Sequence, residues 1–226
     1  MRRWIIVCIL IMAVIVPCSC NKPIAEPEYF DQPATITRDA EDSVPEPAPV
    51  SVPTPTPRIS GFIKASDNSP KSLKSPEIII KKSERILELW DGDTMFGYCS
   101  IGLGWQPEGT KKVEGDGKTP EGEYYVCVRN DKSKYYLSLG VSYPNKDDAA
   151  LALEEGTIDK ATYDQIIKAN NNKTRPPQTT AMGGQIMIHG HGGNRDWTAG
   201  CPAVDDEVMD ILWKYCPNKT PIIILP

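Results

Sequence analysis

The chain has 226 residues, 40% of them hydrophobic, and its 30 acidic against 25 basic side chains give a formal net charge of −5. That length holds one ordinary domain with chain to spare. An acidic balance without a basic stripe excludes nucleic acid as a partner, because phosphates call for clustered Lys and Arg.

Met1-Arg2-Arg3 precedes Trp4–Val16, an unbroken apolar run of thirteen residues, and Pro17-Cys18-Ser19-Cys20 closes it. A basic start, a short apolar centre and small residues at the break describe an export signal over residues 1–20. The run is shorter than the roughly 20 residues a spanning helix requires. With Ser19 ahead of Cys20, the break resembles a bacterial lipoprotein signal, which implies cleavage before Cys20 and lipidation of its thiol. A plain signal cut near Ser19, or Cys18 as the modified thiol, are the alternatives. Each acyl methylene contributes about 0.8 kcal/mol to holding a protein at a bilayer. By the same resemblance, Asn21 after the thiol implies a periplasm-facing lipoprotein of the cell envelope, on the outer membrane.

Residues 21–75 read as a disordered linker: nine prolines fall between Asn21 and Arg58, ending in PEPAPVSVPTPTPR, with almost no periodic apolar pattern. Such a stretch cannot offset its ordering entropy by burial, and its X-Pro pairs keep it extended at about 3.1 Å per residue. A spacer between a lipid and a domain implies a target away from the membrane.

From residue 76 to 226 the texture is that of a folded domain. EIIIKKSERILELWDGDTMFGYCSIG predicts an antiparallel meander, with Asp91-Gly92 suited to the positive φ of a tight hairpin. GDGKTPEGEYYVCVRN is a punctuated loop leading into a strand over Glu123 to Arg129, and YYLSLGVSY predicts another that ends at Pro144. DDAALALEE and TIDKATYDQIIKA predict helices, the second with Thr157 as N-cap, Ile158, Ala161, Ile166 and Ala169 on one face, and Pro176-Pro177 blocking any restart. DDEVMDILWKYC predicts a short amphipathic helix with Asp205 at its head, and TPIIILP a fully apolar last strand central in the sheet. The expected class is mainly β with helical insertions, α+β.

The chain's two histidines fall in IMIHGHGGNRDWTAGCPAV, residues 186–204, a dozen residues before Cys201. Thiol chemistry requires the thiolate, and an ordinary thiol is mostly protonated at neutral pH, so a nearby imidazole that takes the proton removes the obstacle. GQIMI reads as a strand delivering His189 at its end, and Cys201 follows Gly200 and precedes a helix, whose free N–H groups favour both a thiolate and an oxyanion. Two alternatives stand beside this: Cys201 as a small buried hydrophobe, and His189, His191 and Cys201 as zinc ligands, without a fourth ligand at a telling spacing. Cys99, Cys127 and Cys216 leave room for one disulfide of unspecified pairing.

I-H-G, a loop, then T-x-G-C before a helix and a last apolar strand resembles the L,D-transpeptidase (YkuD) catalytic domain, a cysteine acyltransferase of peptidoglycan. GLGWQPEGTKKVEGDGKTPEG, residues 102–122, resembles that family's Gly-rich stretch, and LSLGVSYPN with Asp147-Asp148 resembles a further segment. The resemblance implies a β-sandwich or barrel; Cys201 as nucleophile; His189 as general base, its tautomer held by the Gly190 carbonyl; and an oxyanion hole from the amides of Gly200 and Cys201. It also implies His191 as a loop residue facing the cleft or solvent, with a role as the base the alternative, and Trp197 as a wall of the substrate groove or else a packing residue. Ala199 and Ala203 stand where many members carry a second His and an Arg or Asn, which together with the helical insert is similar to the YafK-like branch. The implied activity is transfer of a stem-peptide acyl group through a Cys thioester to an amine, in cell wall cross-linking and cell shape, with no metal or organic cofactor. A thiol hydrolase cutting wall cross-links or wall-linked protein, and a lipid-anchored wall-binding module without turnover, are the other functions considered.

Overall fold

The computed structural model describes residues 70–226; the predicted signal, Cys20 and most of the spacer lie outside the described residues. Strands β1 (Pro76–Lys81), β2 (Ile86–Asp91) and β3 (Thr94–Ser100) form the expected meander, its second turn made at Gly92 with φ +59°. β4 (Gly122–Ser133) and β5 (Tyr136–Val141) form a long hairpin, and β6 (Met187–His189) and β7 (Pro221–Leu225) complete one seven-stranded mixed sheet in the order β3-β2-β1-β7-β4-β5-β6.

β7 stands at the middle of that order, parallel to β1 and antiparallel to β4. Its β-branched run suits a pleated strand with neighbours on both edges. Ile222 and Ile224 are buried in the core with Ile78, Ile80, Leu87 and Leu89. The residues just before β1 are fastened to the same body. The Asp91 carboxylate accepts from the N–H groups of Lys74 and Ser75 at 2.8 and 2.7 Å, and the Tyr215 hydroxyl donates to the Pro70 carbonyl at 2.8 Å.

The two edges of the sheet are joined by the short segment Pro202–Val204. Gly102, just beyond β3, and Ala203 exchange both backbone hydrogen bonds, at 2.9 and 2.8 Å. On the other side the His189 N–H donates to the Pro202 carbonyl at 3.1 Å, and the Val204 N–H to the His189 carbonyl at 2.9 Å. The sheet curls and closes through the residues that follow Cys201.

Helices α1 (Lys146–Glu154) and α2 (Lys160–Asn171) form the expected insertion between β5 and β6, and α3 (Asp206–Tyr215) follows the closing segment. Asn145 caps α1 in a reciprocal capping box with Asp148. α2 corrects one expectation: its N-cap is Asp159, whose carboxylate accepts from the Thr162 N–H, and not Thr157. Thr157 belongs to the end of α1. Gly156 turns there with φ +72°, its N–H donating to Leu153 and that of Thr157 to Ala152, the double bond pattern of a Schellman motif. At α3, Asp205 is the N-cap residue but makes no side-chain capping bond.

The alternation within β7 is testable. Ile224→Ala, at a position 1% exposed, lowers unfolding free energy by about 2–5 kcal/mol, whereas the half-buried Ile223→Ala costs clearly less. Urea denaturation of both variants measures the difference, and equal losses would contradict the assigned faces.

Candidate active site

β6 is an edge strand of three residues, paired to β5 as Met187↔Gly140, Ile188↔Leu139 and Ser138↔His189. Alternation sends Ile188 into the core and places Met187 and His189 on the opposite face. β4 extends the row across the hairpin, since Asn130 pairs with Ser138. Ser138 is fully buried, and its hydroxyl has no hydrogen-bond partner among the described residues.

His189 is 3% exposed and held from three sides. Nδ1 lies 2.8 Å from the Gly190 carbonyl oxygen, which can only accept, so the proton sits on Nδ1 and Nε2 is left as the basic nitrogen. The Tyr135 ring stacks on the imidazole at 4.5 Å, and Trp197 meets it edge-on at 5.7 Å. Gly190 has no room for a side chain: a Cβ there would come within 2.3 Å of an Asp206 carboxylate oxygen and 3.0 Å of the Tyr135 carbonyl.

Cys201, immediately before the closing segment, reaches the same groove. Gly200 before it has φ +128°, and a Cβ would approach the Lys118 carbonyl to 2.5 Å, so only glycine fits. Thr198 clamps the turn, its hydroxyl donating to the Cys201 carbonyl at 2.6 Å and accepting from the Gly200 N–H at 3.2 Å. Further back, the Asp196 carboxylate pairs with Arg85 and accepts from the Leu103 N–H at 2.9 Å. The Cys201 sulfur accepts from the Met187 N–H at 3.4 Å and faces the Gln185 carbonyl at 3.5 Å.

Cys201 and His189 line one groove of about 610 Å³, together with the β4–β5 hairpin and Ser138. Both groups are pushed toward their neutral forms. Burial raises the Cys201 thiol, opposed by the Met187 N–H and the Lys111 charge. Burial likewise lowers the His189 imidazole, with the Gly190 carbonyl opposing and His191 adding to the shift. The resting pair is therefore thiol and neutral imidazole, and a thiolate forms only when a proton moves.

The remaining predicted residues fall differently. Trp197 donates from its indole N–H to the Gly192 carbonyl at 3.2 Å and packs behind His189, and it does not line the groove. His191, with φ +73°, is exposed and turned to Asp206, whose carboxylate accepts its N–H at 2.8 Å. The Gly200 N–H is occupied by Thr198, whereas the Cys201 N–H has no protein partner among the described residues. The N–H that reaches the sulfur comes from β6 and not from α3, which starts only at Asp206. No three His, Cys, Asp or Glu side chains converge as a metal would require among the described residues. Cys99, Cys127 and Cys216 are free thiols, raised by burial, Cys127 to about 11. Sequence reasoning missed Tyr135 and the clamp by Thr198, although Thr198 stood inside the quoted motif.

Residues 75–224 match the family model of the L,D-transpeptidase catalytic domain, YkuD. The chain belongs to this family. No curated protein matches it significantly. Among solved structures, the helical cell shape determining protein Pgp2 from Campylobacter jejuni is 23% identical over 67% of this chain and 48% of its own, with a TM-score of 0.45. Bd1075 from Bdellovibrio bacteriovorus is also 23% identical, over 68% of this chain and 48% of its own, with a TM-score of 0.42. An L,D-transpeptidase from Xylanimonas cellulosilytica is 13% identical, over 69% and 63%, with a TM-score of 0.40. This L,D-transpeptidase-family chain thus spans about half the length of the first two.

The neutral resting pair sets a pH signature. Alkylation of Cys201 by iodoacetamide rises steadily with pH through and beyond the ordinary thiol range near about 8.5, followed by peptide mapping. A rate plateau between about pH 6 and 7 would instead report a preformed thiolate.

Proposed function

We propose that the chain is a cysteine acyltransferase acting on peptidoglycan stem peptides. The observation that carries this reading is the shared groove, into which β6 and the segment that closes the sheet bring one imidazole and one thiol. Family membership supplies the substrate class as the natural candidate.

The Cys201 thiol gives its proton to Nε2 of His189, and the sulfur attacks the carbonyl carbon of an L-centre to D-centre peptide bond. The Gly190 carbonyl holds Nδ1–H throughout, so the acquired proton stabilises an already oriented ring. The carbonyl oxygen becomes an oxyanion, and the unpartnered Cys201 N–H is the donor at hand to receive it. As the C–N bond breaks, the imidazolium returns its proton to the departing amine, leaving a thioester. An incoming amine from a neighbouring stem attacks that thioester, loses a proton to His189 and releases the thiol. Water in place of the amine gives the hydrolase outcome from the same residues.

Incubation of the full-length protein with a carbapenem yields a single covalent adduct by intact mass, located on Cys201 by peptide mapping. Cys201→Ala forms none, and His189→Gln forms it about 10²–10⁴-fold more slowly. Stem peptides offered with and without an acceptor amine then separate transfer from hydrolysis. Wild-type protein that forms neither adduct nor product, while folded, would favour the wall-binding reading.

We further propose that lipid on Cys20 and the Pro-rich linker tether this activity within the cell envelope, the predicted export signal being the supporting feature. Radiolabelled palmitate is expected to enter the wild-type protein and not Cys20→Ala. Equal labelling of both would move the site to Cys18 or elsewhere.

A further inference from the structure

The groove beside Cys201 and His189 carries a charge pattern the acyl-transfer chemistry does not use. Lys132 and Lys134, at the end of the β4–β5 hairpin, line one part of it, and Arg175, from the connection after α2, lines another. No Asp or Glu belongs to the lining, although the whole chain has five more acids than bases.

None of the three cations is neutralised by a carboxylate among the described residues. Lys134 lies over the Tyr135 ring, 4.9 Å from its centroid, and Tyr135 is the ring that stacks on His189. Arg175 makes one long hydrogen bond, to Gln178 at 3.4 Å. Arg129 also borders the groove but is not part of the set. It pairs in register with the core residue Leu139, and its guanidinium stacks on Trp213 at 4.1 Å and donates to the Trp213 carbonyl at 2.6 Å. Its charge is committed to the α3 side.

Unpaired cations on two sides of a concave site raise the local concentration of anions, and a carboxylate held there recovers hydrogen bonds that water otherwise supplies. We infer that Lys132, Lys134 and Arg175 form a carboxylate-binding subsite that selects acyl donors bearing a free carboxylate close to the scissile bond. Stems whose corresponding carboxylates are amidated are poor donors. This assignment rests on the acyl-transfer reading above and names the form of substrate it acts on.

The test uses full-length protein and synthetic tetrapeptide stems made in pairs, each carboxylate in turn replaced by a carboxamide. At low salt, amidation at the recognised position lowers wild-type kcat/KM about tenfold, through KM with kcat little changed. The gap narrows as salt is raised to about 0.5 M, because exposed charges are screened. A Lys132→Gln, Lys134→Gln double variant and Arg175→Gln each reduce the discrimination, and Arg175→Lys restores most of it. Melting temperatures unchanged from wild type show that the variants are folded. Equal wild-type turnover of both members of every pair would overturn the subsite while leaving acyl transfer standing. Discrimination that survives in every variant would overturn the residue assignment. Failure to turn over any stem, amidated or free, would overturn the acyl-transfer reading and the subsite with it.

Discussion

The backbone pairing of Pro202–Val204 with His189 on one side and Gly102 on the other is the constraint on which the site depends. The same few hydrogen bonds that close the sheet hold the imidazole-bearing residue directly beside the residue after the thiol. Side-chain contact between Cys201 and His189 is not what sets their separation; the main chain does. Each such bond contributes only about 0.5–1.5 kcal/mol net, but several act on one short segment and fix its register. A three-residue strand such as β6 would otherwise be a weak platform. Its position between β5 and the closing segment gives it partners on both edges.

Behind this closure stands a dense loop scaffold from the Gly-rich stretch. A Cβ on Gly104 would lie 2.0 Å from the Gly117 carbonyl and 2.9 Å from the Gly200 Cα, so three backbones meet where no side chain fits. Two buried ammonium groups hold the loop's shape. Lys82 donates to the carbonyls of Gly109 and Thr119 and to Glu121, and Lys111 donates to the Val113 carbonyl and Asp116. A buried ammonium is costly without partners, so the three bonds of Lys82 and the two of Lys111 favour one loop conformation. The Lys118 carbonyl at the end of that loop is the wall against which Gly200 turns.

Much of the fold was legible because its signals are local. The Asp-Gly hairpin, the alternating strands and the Ile222–Ile224 run each carry their own instruction. The helical insertion was legible too, but Thr157 was misread because a Schellman ending and an Asp cap compete within four residues, and only the backbone path decides between them. The closing segment left no trace in the pattern: it is short, begins with proline and takes its meaning from two distant edges. The Gly200 amide looked available for a different reason: a local side-chain bond competes for it, and the Thr198 hydroxyl two residues earlier already accepts it. Tyr135 could not be linked to His189 from sequence, since the stack depends on the β4–β5 turn folding back over β6.

The parallel pairing of β1 with β7 has a mechanical consequence. A pull on the chain upstream of β1 first loads the bonds that hold Pro70, Lys74 and Ser75. It then passes along β1, which is flanked by β2 and β7. Force directed along a strand loads its lateral hydrogen bonds together in shear, whereas force across a strand opens them one after another. Entry at an interior strand rather than at an edge therefore sets the sheet against such a pull with hydrogen bonds on both flanks.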